Sequence, residues 1–138
     1  MIQGWFKNDY LILFEDWSEV AAMTDRYGIE DFLPGYCVFG IKGWNEFLLV
    51  DSRNSEFIMP TVPLDLKLLR PYEGTIVKSQ IQADARFTDK IKWYVKPIVF
   101  GGDPKAEANI IWVNLDQHIQ AVRYWNKLYW DLKIKGNA

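Results

Sequence analysis

The sequence predicts an α+β fold: an antiparallel-rich mixed sheet with an N-terminal helix and a long C-terminal helix packed on it. Three observations point there. A capped stretch of helical periodicity opens at Asp16, short apolar runs separated by turn residues fill 36–59, and a longer capped helical pattern begins at Asn114. Strands that follow one another directly, without a helix between each pair, favour antiparallel pairing over a parallel α/β sheet. The 138 residues make a single domain spanning 1–138. A chain of that size buries about two-thirds of the surface its unfolded form exposes, so it needs no disulfide or metal to hold it.

The elements follow in order. Tyr10 to Phe14 is a run of large apolar residues and reads as a strand. Asp16 and Glu19 form a capping-box pattern, in which one acid takes orphan N–H groups at the helix start and the other reaches back. Trp17, Val20, Ala21, Thr24 and Tyr27 then recur at helical spacing on one face, and Gly28 is the stop. Leu33-Pro34-Gly35 is a turn. It leads into a three-stranded antiparallel meander: Tyr36 to Ile41, Trp44 to Asp51 and Phe57 to Met59, with Lys42-Gly43 and Ser52 to Ser55 as the breaks. The middle strand is apolar on both faces, Leu48 and Val50 on one and Phe47 and Leu49 on the other. It is expected at the centre of the sheet with cover on both sides. Pro60 and Pro63 end the meander, because proline cannot donate to a ladder.

The second half is less regular. Thr75 caps an expected helix running to Phe87 on a weak stripe of Ile76, Val77, Gln80, Ile81 and Asp84. Ile91 to Phe100 reads as extended, with Pro97 placing it at an edge or a bulge. Gly101-Gly102-Asp103-Pro104 is a turn, and Ile110 to Val113 a short strand. Asn114 and Gln117 repeat the capping-box pattern. They open a helix running to about Lys133 with the stripe Leu115, Ile119, Val122, Trp125, Tyr129 and Leu132, favoured at its end by Lys127, Lys133 and Lys135 through the helix dipole and closed by Gly136.

Composition narrows the function. Seven Trp, seven Tyr and eight Phe are unusual for this length. Rings of this kind fill cores, and they also anchor interfaces. The single cysteine, Cys37, sits in the apolar run Tyr36-Cys37-Val38-Phe39 and is expected to be buried and inert. One cysteine makes no internal disulfide, the N-terminus has no signal-peptide pattern, and no apolar stretch approaches a membrane span. The sequence is therefore read as cytoplasmic, with no membrane association. Charge is divided unevenly: residues 1–66 carry 11 acids and 4 bases, and residues 67–138 carry 7 acids and 12 bases. An acidic half repels phosphate and attracts basic partners, which argues against nucleic acid.

No catalytic constellation emerges. His118 is the one histidine, in the first turn of the C-terminal helix, where the helix N-terminus disfavours its cation. His118 and Cys37 lie in no motif, two such ligands fall short of a zinc site, and neither a Walker loop nor a dinucleotide fingerprint is present. Asp103 and Glu107 offer too few oxygens for calcium. No metal and no cofactor are expected. Glu46, Asp51 and Glu56 lie on or beside the meander, and paired carboxylates near aromatics leave a small hydrolase or a carbohydrate-binding protein as the alternative.

The segment Phe32-Leu33-Pro34-Gly35-Tyr36, running on through Cys37-Val38-Phe39-Gly40-Ile41-Lys42-Gly43-Trp44-Asn45-Glu46 to Asp51, resembles the SUKH superfamily. So does Phe57-Ile58-Met59-Pro60-Thr61-Val62-Pro63-Leu64-Asp65. The shared pattern is an LP turn, a strand, a glycine-containing turn, a strand ending in an acid, and a P-L segment. It covers about residues 29–70. The resemblance implies a sheet-and-helix fold, no catalysis and a protein partner, because the family includes bacterial immunity proteins that neutralise toxins, often nucleases, of contact-dependent or type VI systems. It also includes fungal regulators of cell-wall synthesis. An immunity protein of this charge would meet a basic toxin domain with its acidic half. The residues expected at that interface are Glu30, Asp31, Glu46, Asp51 and Glu56 as rim acids and Trp44 as a central aromatic.

Overall fold

The computed structural model describes residues 1–136 of the chain. Six strands form one sheet: β1 (Ile2–Phe6), β2 (Asp9–Leu13), β3 (Cys37–Lys42), β4 (Glu46–Val50), β5 (Glu56–Pro60) and β6 (Arg70–Pro71). They pair in sequence order, and every pairing is antiparallel. Helices α1 (Trp17–Arg26) and α2 (Ile29–Phe32) lie between β2 and β3. A separate hairpin of β7 (Ile91–Tyr94) and β8 (Ile110–Val113) precedes the long helix α3 (Leu115–Gly136). The α+β expectation holds.

The meander forms as its sequence predicts, with β4 between β3 and β5. Alternation along the strands divides their side chains between two apolar layers. Tyr10, Ile12, Phe47 and Leu49 face Val20 and Tyr27 from the α1 region, Trp93 of β7, and Ile119 and Val122 of α3. Leu11, Leu13, Leu48 and Ile58 face the other way, joined by Phe6 and roofed by Tyr72, Ile76 and Ile81. Both faces of β4 are therefore covered.

β1 was not expected. Gly4 interrupts its apolar pattern, and the reason lies across the sheet edge. A Cβ at Gly4 would stand 2.4 Å from the Gln82 carbonyl oxygen. That close approach lets the neighbouring Trp5 exchange backbone hydrogen bonds with Gln82, at 2.8 and 2.9 Å. The same bridge corrects the expected helix from Thr75 to Phe87. This stretch is extended, with single 3-10 turns at Lys78–Gln80 and Ala85–Phe87. An α-helix would have kept the Gln82 backbone groups for itself. Here they stitch the segment to β1, and Ile76 and Ile81 lie against the sheet. The stretch from Ile91 to Phe100 is also shorter as a strand than expected. β7 ends at Tyr94, Asn109 takes the Lys96 backbone N–H and carbonyl on its side chain, and Pro97 opens a 3-10 turn.

Both helix starts are capped by the expected residues. Asp16 Oδ1 accepts from the Glu19 N–H at 2.8 Å, although the Glu19 carboxylate turns to the N-terminal ammonium of Met1 instead of reaching back. Asn114 and Gln117 form the full reciprocal box, at 2.8 and 3.0 Å. The expected core stripes hold in part: Leu115, Ile119, Val122 and Trp125 of α3 and Val20 and Tyr27 of the α1 region pack into the core, and the exceptions are at the edges of each stripe. On α1 the inward side chains are Val20, Met23 and Thr24, with Tyr27 at the helix end, while Ala21 is exposed and Trp17 is 64% exposed. On α3, Ile119 and Val122 are buried together with the polar His118 and Asn126, and Leu132 is exposed. Lys133 does more than complement the helix dipole: its ammonium lies 2.7 Å from the buried Asp65 carboxylate.

Candidate functional site

The six residues expected at an interface do not form one patch. Trp44 and Glu46 are at the β3–β4 turn, whereas Asp51 and Glu56 flank the β4–β5 turn at the far end of β4. A five-residue strand separates those ends by about 17 Å. Glu30 and Asp31 lie on α2, outside the sheet. Several are also engaged within the chain. Glu30 accepts from the Gly35 N–H at 3.2 Å and so holds the Leu33-Pro34-Gly35 turn. Glu46 pairs with Arg70 at 2.5 Å. Asp51 Oδ1 accepts from the N–H groups of Arg53 and Ser55, both at 2.9 Å, which closes the hairpin. Trp44 stacks on Tyr10 and meets Trp112 edge-on at 5.1 Å. Asp31 and Glu56 are exposed and form no ion pair among the described residues.

Glu56 leads to a site that the sequence did not mark. The extended segment after β6 roofs only part of the second sheet face. Between it and the start of α1 a groove of about 500 Å³ remains open. Its floor is apolar: Leu13, Phe14, Phe39, Val50 and Ile76. Glu15, Asp16 and Glu56 line its mouth beside the exposed Trp17, and Lys78 is the base among the described lining residues. Two separate parts of the fold bring these acids together. β5 presents Glu56, and the turn into α1 presents Glu15 and Asp16. Asp16 is partly committed to capping α1 and Glu15 lies 3.6 Å from the Met1 ammonium, but a carboxylate has further lone pairs to offer. An exposed indole beside an apolar floor and carboxylates suits a segment with a cationic group and an apolar face.

The signal for this site was present in Glu15-Asp16-Trp17-Ser18-Glu19. Three acids surround a tryptophan there at a helix start. Helical periodicity assigned Trp17 to the core, and capping accounted for Asp16 and Glu19, while Glu15 was given no role. The position of the uncovered sheet face, which decides the matter, is a tertiary fact.

The remaining chemically notable groups serve the core. His118 is 0% exposed, its Nδ1 lies 2.7 Å from the Tyr27 hydroxyl, and the Trp93 ring meets it edge-on at 5.1 Å. Burial pushes its pKa down to about 3, so the ring is neutral. The sequence anticipated a neutral ring from the helix N-terminus, but desolvation is the cause. Burial also pushes the Tyr27 phenol up, so it stays protonated. Cys37 is half-buried on β3 against the main core. Burial raises the Asp65 pKa, but hydrogen bonds from Lys133, the Lys67 N–H and Tyr129 outweigh it and hold the carboxyl below its ordinary value. No described helix is long and apolar enough to cross a membrane.

Comparison of the chain with protein-family models, curated proteins and solved structures finds no match.

Proposed function

We propose that this chain is a non-enzymatic, immunity-type protein of the cytoplasm that binds a basic toxin domain and occludes it. The observation that carries the reading is the apolar groove with Trp17 exposed at its mouth among Glu15, Asp16 and Glu56. Rim carboxylates speed the encounter with a cationic surface, and an aromatic among them that becomes buried on binding slows its release. The SUKH-like pattern of residues 29–70 supports the same reading from sequence. Of the residues expected at the interface, Glu56 belongs to this groove. Trp44, Glu46 and Asp51 support it indirectly by fixing the meander that forms its floor.

The hydrolase alternative draws less support. It needs two carboxylates free to face one substrate. Of its three candidates, Glu46 is paired with Arg70 and Asp51 is taken up by backbone N–H groups at the opposite end of β4, while Glu56 shares its groove with Asp16, which caps α1, and Glu15, which lies 3.6 Å from the N-terminal ammonium. The experiment that tests the proposal is co-expression with the toxin domain encoded next to this gene. Wild type should restore growth and co-purify with the toxin, and Trp17→Ala combined with Glu56→Lys should do neither while remaining folded. If the double variant protects fully, the groove is not the binding site.

A further inference from the structure

The chain has seven tryptophans, and Trp17 stands apart from the rest. Trp5, Trp44, Trp93, Trp112, Trp125 and Trp130 each have another ring centroid within 5.4 Å. No ring and no cation among the described residues packs on the Trp17 indole, although Lys7, Arg86, Lys92 and Lys133 all lie over other rings. The flat face of Trp17 is therefore free, and it stands at the mouth of the groove.

The carboxylates of the mouth differ from one another in a similar way. Asp16 caps α1, and Glu15 lies 3.6 Å from the Met1 ammonium. The Glu56 carboxylate has no partner among the described residues; pairing within the sheet and the Tyr72 N–H, at 3.0 Å, hold only its backbone. Below these groups the floor is apolar, and Lys78 adds a positive charge on the wall formed by the segment after β6.

A free indole face, an unpaired carboxylate and an apolar floor converge on one kind of side chain. A guanidinium is planar, stacks on an aromatic face and forks onto a carboxylate with two parallel hydrogen bonds, while its aliphatic stem lies on apolar surface. An ammonium is a strongly hydrated point charge, which any of the three acids would hold without help from the indole. Lys78 repels a run of cations, so the groove suits one cationic residue set among apolar ones.

We propose that the groove is selective for arginine: the partner's segment inserts one arginine, whose guanidinium stacks on Trp17 and forks onto Glu56, with its apolar neighbours on the floor. This rests on the groove being the partner's binding site and adds the side chain that the groove selects.

The test uses the purified full chain and two capped peptides, acetyl-Leu-Arg-Leu-amide and acetyl-Leu-Lys-Leu-amide, with the uncharged citrulline analogue as a third arm. Each tryptophan gives an indole N–H signal in a nitrogen–proton correlation spectrum, and the one missing from Trp17→Leu belongs to Trp17. The arginine peptide should move that signal saturably, with a Kd on the order of 1 mM, and should leave the signal of Trp112, another exposed indole, in place. The lysine peptide should bind at least about threefold more weakly, and the citrulline peptide should not bind. In Glu56→Gln, a change on the exposed surface, the two cationic peptides should bind alike. Equal affinity of the wild type for the arginine and lysine peptides overturns the inference and leaves the toxin-binding reading standing, because the groove then accepts any cation. An arginine preference that survives Glu56→Gln overturns it too. A Trp17 signal that neither peptide moves overturns both, because the groove then takes no cation at all.

Discussion

The Trp44 indole lies parallel to the Tyr10 ring, 4.2 Å away at an interplanar angle of 11°, while the Trp44 backbone is left-handed at φ +70°. A residue with a Cβ is disfavoured there by about 1–2 kcal/mol. The stack with Tyr10 and the edge contacts with Trp112 and Phe87 offset that strain and fix the β3–β4 turn.

A specific order of stabilities follows. Trp44→Ala loses the rings and keeps the strain, whereas Trp44→Gly loses the rings and relieves it. Urea midpoints should place both below wild type by roughly 2 kcal/mol or more, with Trp44→Gly the more stable of the two by about 1 kcal/mol. Equal midpoints would mean that the backbone at Trp44 is not strained in solution.

Asn126 should matter far more than its polarity suggests. It is fully buried; its amide donates to the carbonyls of Thr61 and Val122 at 2.9 Å, and its oxygen accepts from the Leu64 N–H at 2.6 Å. Asn126→Leu keeps the branched shape but leaves the Leu64 and Thr61 groups without partners, at about 1–3 kcal/mol for each. Leu132→Ala, on the exposed face of the same helix, should change stability by no more than about 0.5 kcal/mol. Chemical denaturation of the two variants side by side checks the contrast, and a near-neutral Asn126→Leu would contradict it.

Stability should fall on mild acidification because of His118. Its folded pKa of about 3 lies below the ordinary 6.5. Between those values the unfolded chain takes up a proton that the fold refuses, so stability is full above pH 6.5 and is lost as pH falls toward 3. The loss from this group is at most about 5 kcal/mol. Denaturation from pH 8 to pH 4 should show this slope in wild type and a flatter one in His118→Phe, whose plateau is lower because Tyr27 loses its partner. The window stays above the acid titration of Asp65, whose pKa is lowered. Equal slopes would show that His118 is free to ionise in the fold.

How far the sequence reached depended on where its signals were local. The meander, both helix starts and the two-sided burial of β4 were legible because strand alternation and capping act within a few residues. The Thr75 to Phe87 stretch was misread because Gln82 finds its partner in Trp5, far away in sequence. Trp17 was misread for a related reason. Periodicity names a helix face but not the point at which the covering sheet ends. The expected interface scattered because acids close in sequence on a meander lie at opposite ends of its strands, and Asp51 and Glu30 proved to be turn-holding groups.

The central claim is that the groove beside Trp17 receives a basic partner. Binding kinetics of the purified chain with basic candidate toxin domains drawn from the genes beside its own, at low and high salt, test it most directly. Glu56→Lys should slow association roughly tenfold at low salt and much less at high salt, and Trp17→Ala should speed dissociation by a factor corresponding to about 2 kcal/mol. Wild-type kinetics for both folded variants, or no binding to any of those domains by the wild type, would contradict the account.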